Sequence, residues 1–255
     1  MAGFGPLDRT HIEDYVRLGW CVARGFFPPD EAAALVRYTE EVTALPEVPQ
    51  RQMVYHEKSL IDDAVRLIQR IENFCPYHAH FDRAVRQGRL IGAIEQLLGE
   101  PAVLFKEKIN FKMSGGAGFE PHQDQQAGWT VFTPLFITAL VCIDPATPAN
   151  GCLEMADVPR LRDMIGREWA PLTDDEISSF SLIPLPTELG DVVFFDSYVP
   201  HRSKPNLTDQ ARRALYLTYN RASDGDHRAR YFAEKRAAFP PDVERQAGAD
   251  YRFRV

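Results

Sequence analysis

Four residues carry the chemistry that this sequence advertises: His122 and Asp124 in the run His122-Gln123-Asp124, His201 downstream, and Arg212 eleven residues beyond that. Along an extended strand residues i and i+2 point the same way, so an H-x-D pair offers two ligands on one face. A third ligand from a distant strand completes a 2-His-1-carboxylate face, the ligand set of non-haem Fe(II) oxygenases. Half of an octahedral ion's positions stay open, as a co-substrate and O2 both require. Arg212 adds a permanently charged planar fork suited to a second carboxylate. The constellation reads as an Fe(II) and 2-oxoglutarate oxygenase, with His122, Asp124 and His201 as catalytic metal ligands and Arg212 as co-substrate clamp. Singly, each residue has a plainer reading. H-x-D is a common tripeptide, His201 suits a turn, and Arg212 next to Arg213 suits a surface. Their conjunction carries the weight.

The elements that must position these groups are legible as short strands. Residues 104–113 alternate and lead into the turn Ser114-Gly115-Gly116-Ala117-Gly118 just before the H-x-D pair. Gly190-Asp191 signals a turn, Val192-Val193-Phe194-Phe195 a buried strand, and Pro200 biases Val199 to extended geometry ahead of His201. The cluster Pro205-Asn206-Leu207-Thr208-Asp209 precedes a strand over 212–220. A hairpin centred near Asn206 and Leu207 would set His201 and Arg212 nearly opposite one another.

With these motifs in place the chain resembles the phytanoyl-CoA dioxygenase family. His122, Asp124 and His201 match its metal ligands, Arg212 its 2-oxoglutarate clamp, and Ser203 its second co-substrate contact. Tyr15-Val16-Arg17-Leu18-Gly19-Trp20, followed by Gly25-Phe26-Phe27-Pro28-Pro29-Asp30-Glu31, is similar to the family's helix–strand–helix entry. The strand Phe105-Lys106-Glu107-Lys108-Ile109-Asn110-Phe111-Lys112 and the tail Lys235-Arg236-Ala237-Ala238-Phe239-Pro240-Pro241-Asp242 resemble a bacterial branch that includes 2-aminoethylphosphonate-type hydroxylases. The resemblance implies Fe(II), 2-oxoglutarate and O2, with the keto acid leaving as succinate and CO2 while an unactivated C–H of a small polar substrate is hydroxylated. Related halogenases carry Ala or Gly where this chain has Asp124, so a carboxylate there implies hydroxylation. An aminoalkylphosphonate is the substrate that the branch implies. A natural-product intermediate is the alternative within the family; a ligand-binding jelly roll or a zinc hydrolase is the alternative outside it.

Strand 104–113 has an apolar face, with Phe105, Ile109 and Phe111, and a polar face of Lys106, Lys108, Asn110 and Lys112. The polar face either meets solvent, as edge lysines do, or turns Lys108 and Asn110 into the cavity to bind an acid group of co-substrate or substrate. Gln123, Gln126 and Trp129 crowd the metal strand and are candidate substrate contacts, as is Tyr216, which shares a strand face with Arg212, Thr218 and Asn220. The plainer reading makes Trp129 a core aromatic and the glutamines surface residues. His78-Ala79-His80 lies in a helical context, where i and i+2 diverge, and is read as structural.

Composition fits one enzyme domain over residues 1–255: a mostly helical buttress over 1–100, a jelly-roll core over 101–222 and a tail over 223–255. Thr10 with Glu13 suits a capping box, Pro29-Asp30 opens a second helix, and 62–74 and 90–98 show apolar spacings of three and four. Further strands are expected over 134–143, 151–154, 181–184 and 191–195, with a partly helical insertion over 155–176. The fold class is mainly β with N-terminal helices, a double-stranded β-helix. A net charge of −7 argues against nucleic acid and anionic membranes, leaving a small-molecule substrate as the partner and the oligomeric state open. Residues 1–6 lack a secretory pattern and 252–255 a peroxisomal one, and the longest apolar run, 135–143, contains Thr138 and is too short to span a bilayer. Cys21, Cys75, Cys142 and Cys152 form no C-x-x-C pair, which suits reduced thiols in the cytoplasm.

Overall fold

The structure, a computed structural model, describes residues 5–249 and 251. The expectations about targeting signals fall in part on residues 1–4 and 252–255, which lie outside the described residues. Helix α1 (Arg9–Leu18) opens two residues earlier than the Thr10 pattern suggests, in a capping box between Asp8 and His11, and stops at Gly19, which takes a left-handed φ of 80°. Strand β1 (Trp20–Ala23) and helix α2 (Pro29–Thr43), with Pro at its first position, complete the entry. Next come β2 (Met53–Lys58) and β3 (Arg66–Glu72), where the spacing over 62–74 suggested a helix. Leu67, Ile68 and Ile71 fit a helical stripe, but an apolar run this short does not distinguish helix from strand, and pairing with neighbours on both edges decides it. Helices α3 (Ala79–Arg86) and α4 (Gly88–Leu98) follow, the latter ending at Gly99 as expected.

The remaining elements are β4 (Ala102–Lys112), β5 (Phe119–His122), β6 (Ile137–Cys142), β7 (Leu153–Ala156), α5 (Asp174–Ile177), β8 (Leu182–Leu185), β9 (Val192–Asp196), β10 (His201–Ser203), β11 (Arg212–Arg221) and α6 (Arg228–Ala238). Among the described residues they form a major sheet in the order β1-β9-β6-β11-β4-β3-β2 and a minor sheet in the order β5-β10-β7-β8. Every pairing is antiparallel. Two such sheets facing one another make the jelly roll. The first hundred residues therefore do more than buttress: β1, β2 and β3 extend the major sheet. The outer face of that sheet packs on the helices through Ile109, Phe111, Leu215 and Leu217 against Phe81, Leu90 and Ile94. Its inner face meets the minor sheet through Leu140, Val193, Phe195 and Ala214 against Leu153, Met155 and Leu185.

Two expectations are corrected here. His201 and Arg212 are not partners in a hairpin. Strand β10 is flanked by β5 and β7, and β11 by β4 and β6, so neither has an edge left for the other. Residues 204–211 instead cross from one sheet to the other, held by Asn206, whose side chain donates to the carbonyls of Lys112 and Gln210. The segment over 155–176 continues β7 and then runs irregularly, with helix only at Asp174–Ile177. All four cysteines are buried free thiols. No described helix is long and apolar enough to cross a membrane.

The alternation of β4 is interrupted at Phe105, where the register with β11 skips a residue between Thr218 and Tyr219. Leu104, Ile109 and Phe111 face the helices, while Phe105 joins Trp129, Phe136 and Tyr231 in a separate aromatic cluster. Beyond this irregularity Lys106, Lys108, Asn110 and Lys112 all turn inward, and Lys106, Asn110 and Lys112 are buried. The solvent-facing reading of that polar stripe is therefore wrong: it lines the interior between the sheets.

Candidate active site

His122 ends β5, and His201 opens β10 directly opposite it, so cross-strand pairing brings the rings to 4.3 Å between centroids. Asp124 lies just past the strand, at the start of a 3-10 turn, rather than on it. Gln123 keeps extended dihedrals (φ −106°, ψ 135°), which preserves the i, i+2 alignment that the motif needs. His122 Nε2 and His201 Nε2 stand 3.9 and 4.0 Å from Asp124 Oδ1, and all three ligand atoms fit within 4.8 Å of one another.

These residues fit an Fe(II) ion by donor chemistry. Each Nδ1 lies against the carbonyl two residues back, 2.7 Å from Glu120 O for His122 and 2.9 Å from Val199 O for His201. An Nδ1–H bonded there leaves the Nε2 lone pair of each ring for a metal. Burial, reinforced by His201, pulls the His122 pKa down to about 3, and burial also lowers that of His201, so both rings are neutral ligands at neutral pH. Burial opposes ionisation of Asp124, yet the positive influence of His201, Lys106, His122 and Lys108 brings its pKa below the ordinary value. Its second oxygen accepts from Thr138 Oγ1 at 3.2 Å, and Thr138 in turn contacts Thr218 Oγ1 at 3.0 Å.

The triad opens on a cavity of about 370 Å³ lined also by Lys106, Lys108, Asn110, Phe119, Thr138, Leu153, Ser203, Tyr216 and Thr218. Arg212 is 2% exposed and faces Lys112 across the β11–β4 ladder. Its Nε has no hydrogen-bond partner among the described residues, a buried donor that a ligand carboxylate would satisfy. Burial raises the Tyr216 pKa against the charge and hydrogen bond of Arg212, which places the guanidinium beside that phenol. Arg213 points the other way and is committed to Asp144 through two bonds of 2.8 Å. Ser203 Oγ accepts from Lys112 Nζ at 2.7 Å, leaving its own proton free to donate. Lys112 also donates to Lys204 O at 2.5 Å; burial and the nearby Arg212 bring its pKa down to about 7.

Three of the residues expected to touch substrate sit elsewhere. Gln123 donates to the carbonyls of Asp163 and Tyr198 and accepts from Ile165 N, while Gln126 donates to those of Arg167 and Ala170 and accepts from Gln123 N. Both amides are buried braces for the segment after β7, because a backbone crossing the metal strand needs its polar groups satisfied. Trp129 is a core aromatic, 1% exposed, with Lys106 Nζ 3.9 Å from its ring centroid. Tyr216, Lys108 and Asn110 do line the cavity. Thr138 was passed over, although a lone hydroxyl inside the apolar run 135–143 is the kind of signal that marks a buried polar partner.

Comparison with known proteins decides the family. The phytanoyl-CoA dioxygenase (PhyH) family profile matches residues 15–214, a span that includes the triad, Ser203 and Arg212. The chain belongs to the phytanoyl-CoA dioxygenase family. Among relatives of this phytanoyl-CoA dioxygenase family member, 2-aminoethylphosphonate dioxygenase of the uncultured bacterium HF130_AEPn_1 is 40% identical over 98% of this chain and 95% of its own. Methylphosphonate hydroxylase of Gimesia maris is 37% identical over 91% and 86%. The crystal structure of EctD from S. alaskensis with 2-oxoglutarate and 5-hydroxyectoine has the same fold, with a TM-score of 0.73 at 21% identity over 88% of this chain and 79% of that one. The protein is a non-haem Fe(II)/2-oxoglutarate-dependent dioxygenase that acts on a small molecule. The hydrolase and binding-only alternatives fall away. Anaerobic addition of Fe(II) with 2-oxoglutarate is expected to give the weak visible charge-transfer band of a metal-chelated keto acid, absent with either component alone. A folded protein that binds Fe(II) without producing the band would contradict chelation at this triad.

Proposed function

We propose that this dioxygenase hydroxylates a C–H bond of a small organophosphonate, with His122, Asp124 and His201 holding Fe(II). The observation that carries the substrate class is the agreement of the two relatives above. Both match nearly end to end, and their names share a phosphonate while differing in what is attached to it. When bound, the iron and 2-oxoglutarate supply an O2-derived oxidant, with succinate and CO2 as by-products. Arg212 and the free proton of Ser203 hold the distal carboxylate of 2-oxoglutarate, with Tyr216 and Asn110 beside it. The buried walls keep water from the reacting centre. The described residues, two sheets around one interior, act as a single catalytic domain. The four reduced thiols support a cytoplasmic setting.

The test is turnover of methylphosphonate and 2-aminoethylphosphonate beside ectoine and proline, with Fe(II), 2-oxoglutarate and O2. Substrate-dependent succinate, together with a new phosphorus resonance for the hydroxylated product, is expected with at least one phosphonate. Coupled turnover confined to the compounds without phosphorus would overturn the substrate class and leave the oxygenase chemistry standing.

A further inference from the structure

We infer that Lys106 and Lys108 form the receptor for the phosphonate group of the substrate, separate from the carboxylate clamp at Arg212. The inference rests on the organophosphonate reading and assigns that reading to two side chains.

Four inward positions of β4 carry three lysines, and only one has protein acceptors. Lys112 bonds to Ser203 Oγ and Lys204 O and so ties the two sheets together. Lys106 and Lys108 have no hydrogen-bond or ion-pair partner among the described residues, yet both line the cavity. Their ammoniums rest on aromatic rings instead: Lys106 Nζ at 3.9 Å from the Trp129 centroid, and Lys108 Nζ at 4.8 and 5.6 Å from those of Tyr216 and Phe119. An ammonium on a ring face is positioned but keeps its N–H donors for a ligand.

The nearby acids are committed elsewhere. Glu72 is bonded to Arg70 at 2.8 Å and to Lys235 at 2.6 Å. Asp124 is the lone carboxylate in the cavity lining and belongs to the metal set. The two carboxylates of 2-oxoglutarate are likewise accounted for, one at the metal and one at Arg212. Two lysines facing one space then lack a hydrogen-bonded acid partner among the described residues, and a phosphonate brings up to two negative charges and three acceptor oxygens.

Register separates this site from the clamp. Arg212 lies opposite Lys112, Tyr216 opposite Lys108 and Thr218 opposite Lys106. The backbone positions of the lysines are thus displaced by four and six residues along the ladder, roughly 13 and 20 Å of strand, with the Tyr216 ring standing between Lys108 and Arg212. Thr218 reaches Thr138, which bonds to Asp124, so Lys106 belongs to the metal end of the cavity. A head group held there places the attached carbon near the triad, where a C–H must lie to be oxidised.

The test titrates methylphosphonate calorimetrically into anaerobic Fe(II)- and 2-oxoglutarate-loaded protein, for wild type, Lys108→Met and Lys106→Met. Methionine keeps most of the stem and removes the charge. Affinity for methylphosphonate is expected to fall about tenfold or more in each variant, the scale of a lost charge-assisted bond. The 2-oxoglutarate affinity, read from the charge-transfer band, is expected to stay within about threefold. That band also reports that the site remains folded, and Lys108, the less buried of the two, supplies the variant least disturbing to packing. Wild-type methylphosphonate affinity in Lys108→Met overturns the inference, as does an equal loss of 2-oxoglutarate affinity, which would make the lysines co-substrate ligands. A wild-type protein that forms the band but binds neither methylphosphonate nor 2-aminoethylphosphonate removes the substrate reading itself, and this assignment with it.

Discussion

Asp124→Gly is expected to abolish hydroxylation, with His122→Ala and His201→Ala doing the same, each by at least about a hundredfold. Loss of an outer-sphere partner of a metal ligand alone reaches that scale, and these changes remove the ligands themselves. Asp124 is the sole anion of the set, so its loss also leaves two neutral imidazoles facing a divalent ion with an extra open position. Added chloride could occupy that position without restoring the native reaction. The fold is expected to persist, because the three residues lie at strand ends around a cavity and contribute little to the apolar clusters. Circular dichroism together with product and succinate release at saturating Fe(II) checks the result. Near-wild-type turnover in any one variant removes that residue from the triad.

Arg212→Ala is expected to raise the KM for 2-oxoglutarate by roughly 10- to 100-fold while Fe(II) affinity changes little. A hydrogen bond to a charged group contributes about 1.5–3 kcal/mol, and 1.4 kcal/mol is a factor of ten. The orphaned Nε of Arg212 and the free hydroxyl proton of Ser203 are the donors that would serve such a carboxylate. Arg213→Ala is the control. Its guanidinium is tied to Asp144 on the opposite side of the strand, so stability moves modestly and the KM stays put. An exchange of phenotypes between the two variants would mean that the register of β11 is misassigned.

The H-x-D pair of the candidate triad was legible because its information is local: a spacing of two in an extended chain sets two side chains on one side wherever the strand goes. Gln123 carries that alignment one step past the end of β5. What joins His201 to them, and Arg212 to Ser203, is not local. The expected hairpin around Asn206 reads turn residues correctly but says nothing about which sheet each flanking strand enters, and the answer depends on β5, β7, β4 and β6. The same limit explains β3, whose apolar spacing suits either structure until β2 and β4 flank it. The lysine stripe of β4 was visible as a stripe, yet only the opposing sheet reveals that its polar face is the inside. For Gln123 and Gln126, proximity in sequence to the ligands suggested contact with substrate. Most of their partners are 40 or so residues away, in a segment whose path no periodicity discloses.

Those two glutamines have a consequence for how such an enzyme can diversify. In the crossing segment their carboxamides bind main-chain atoms: the carbonyls of Asp163, Arg167 and Ala170 and the amide of Ile165. Trp169 adds a main-chain amide to Gln126 O. A tether that grips backbone is indifferent to the side chains it passes, so most identities between 163 and 170 are free to drift without loosening the metal strand. Gly166 is the exception, since a Cβ there would press on Leu172 and on the Gln126 amide itself. Selection can therefore rewrite the face that this segment presents, one position at a time, while the candidate triad inherits an unchanged foundation.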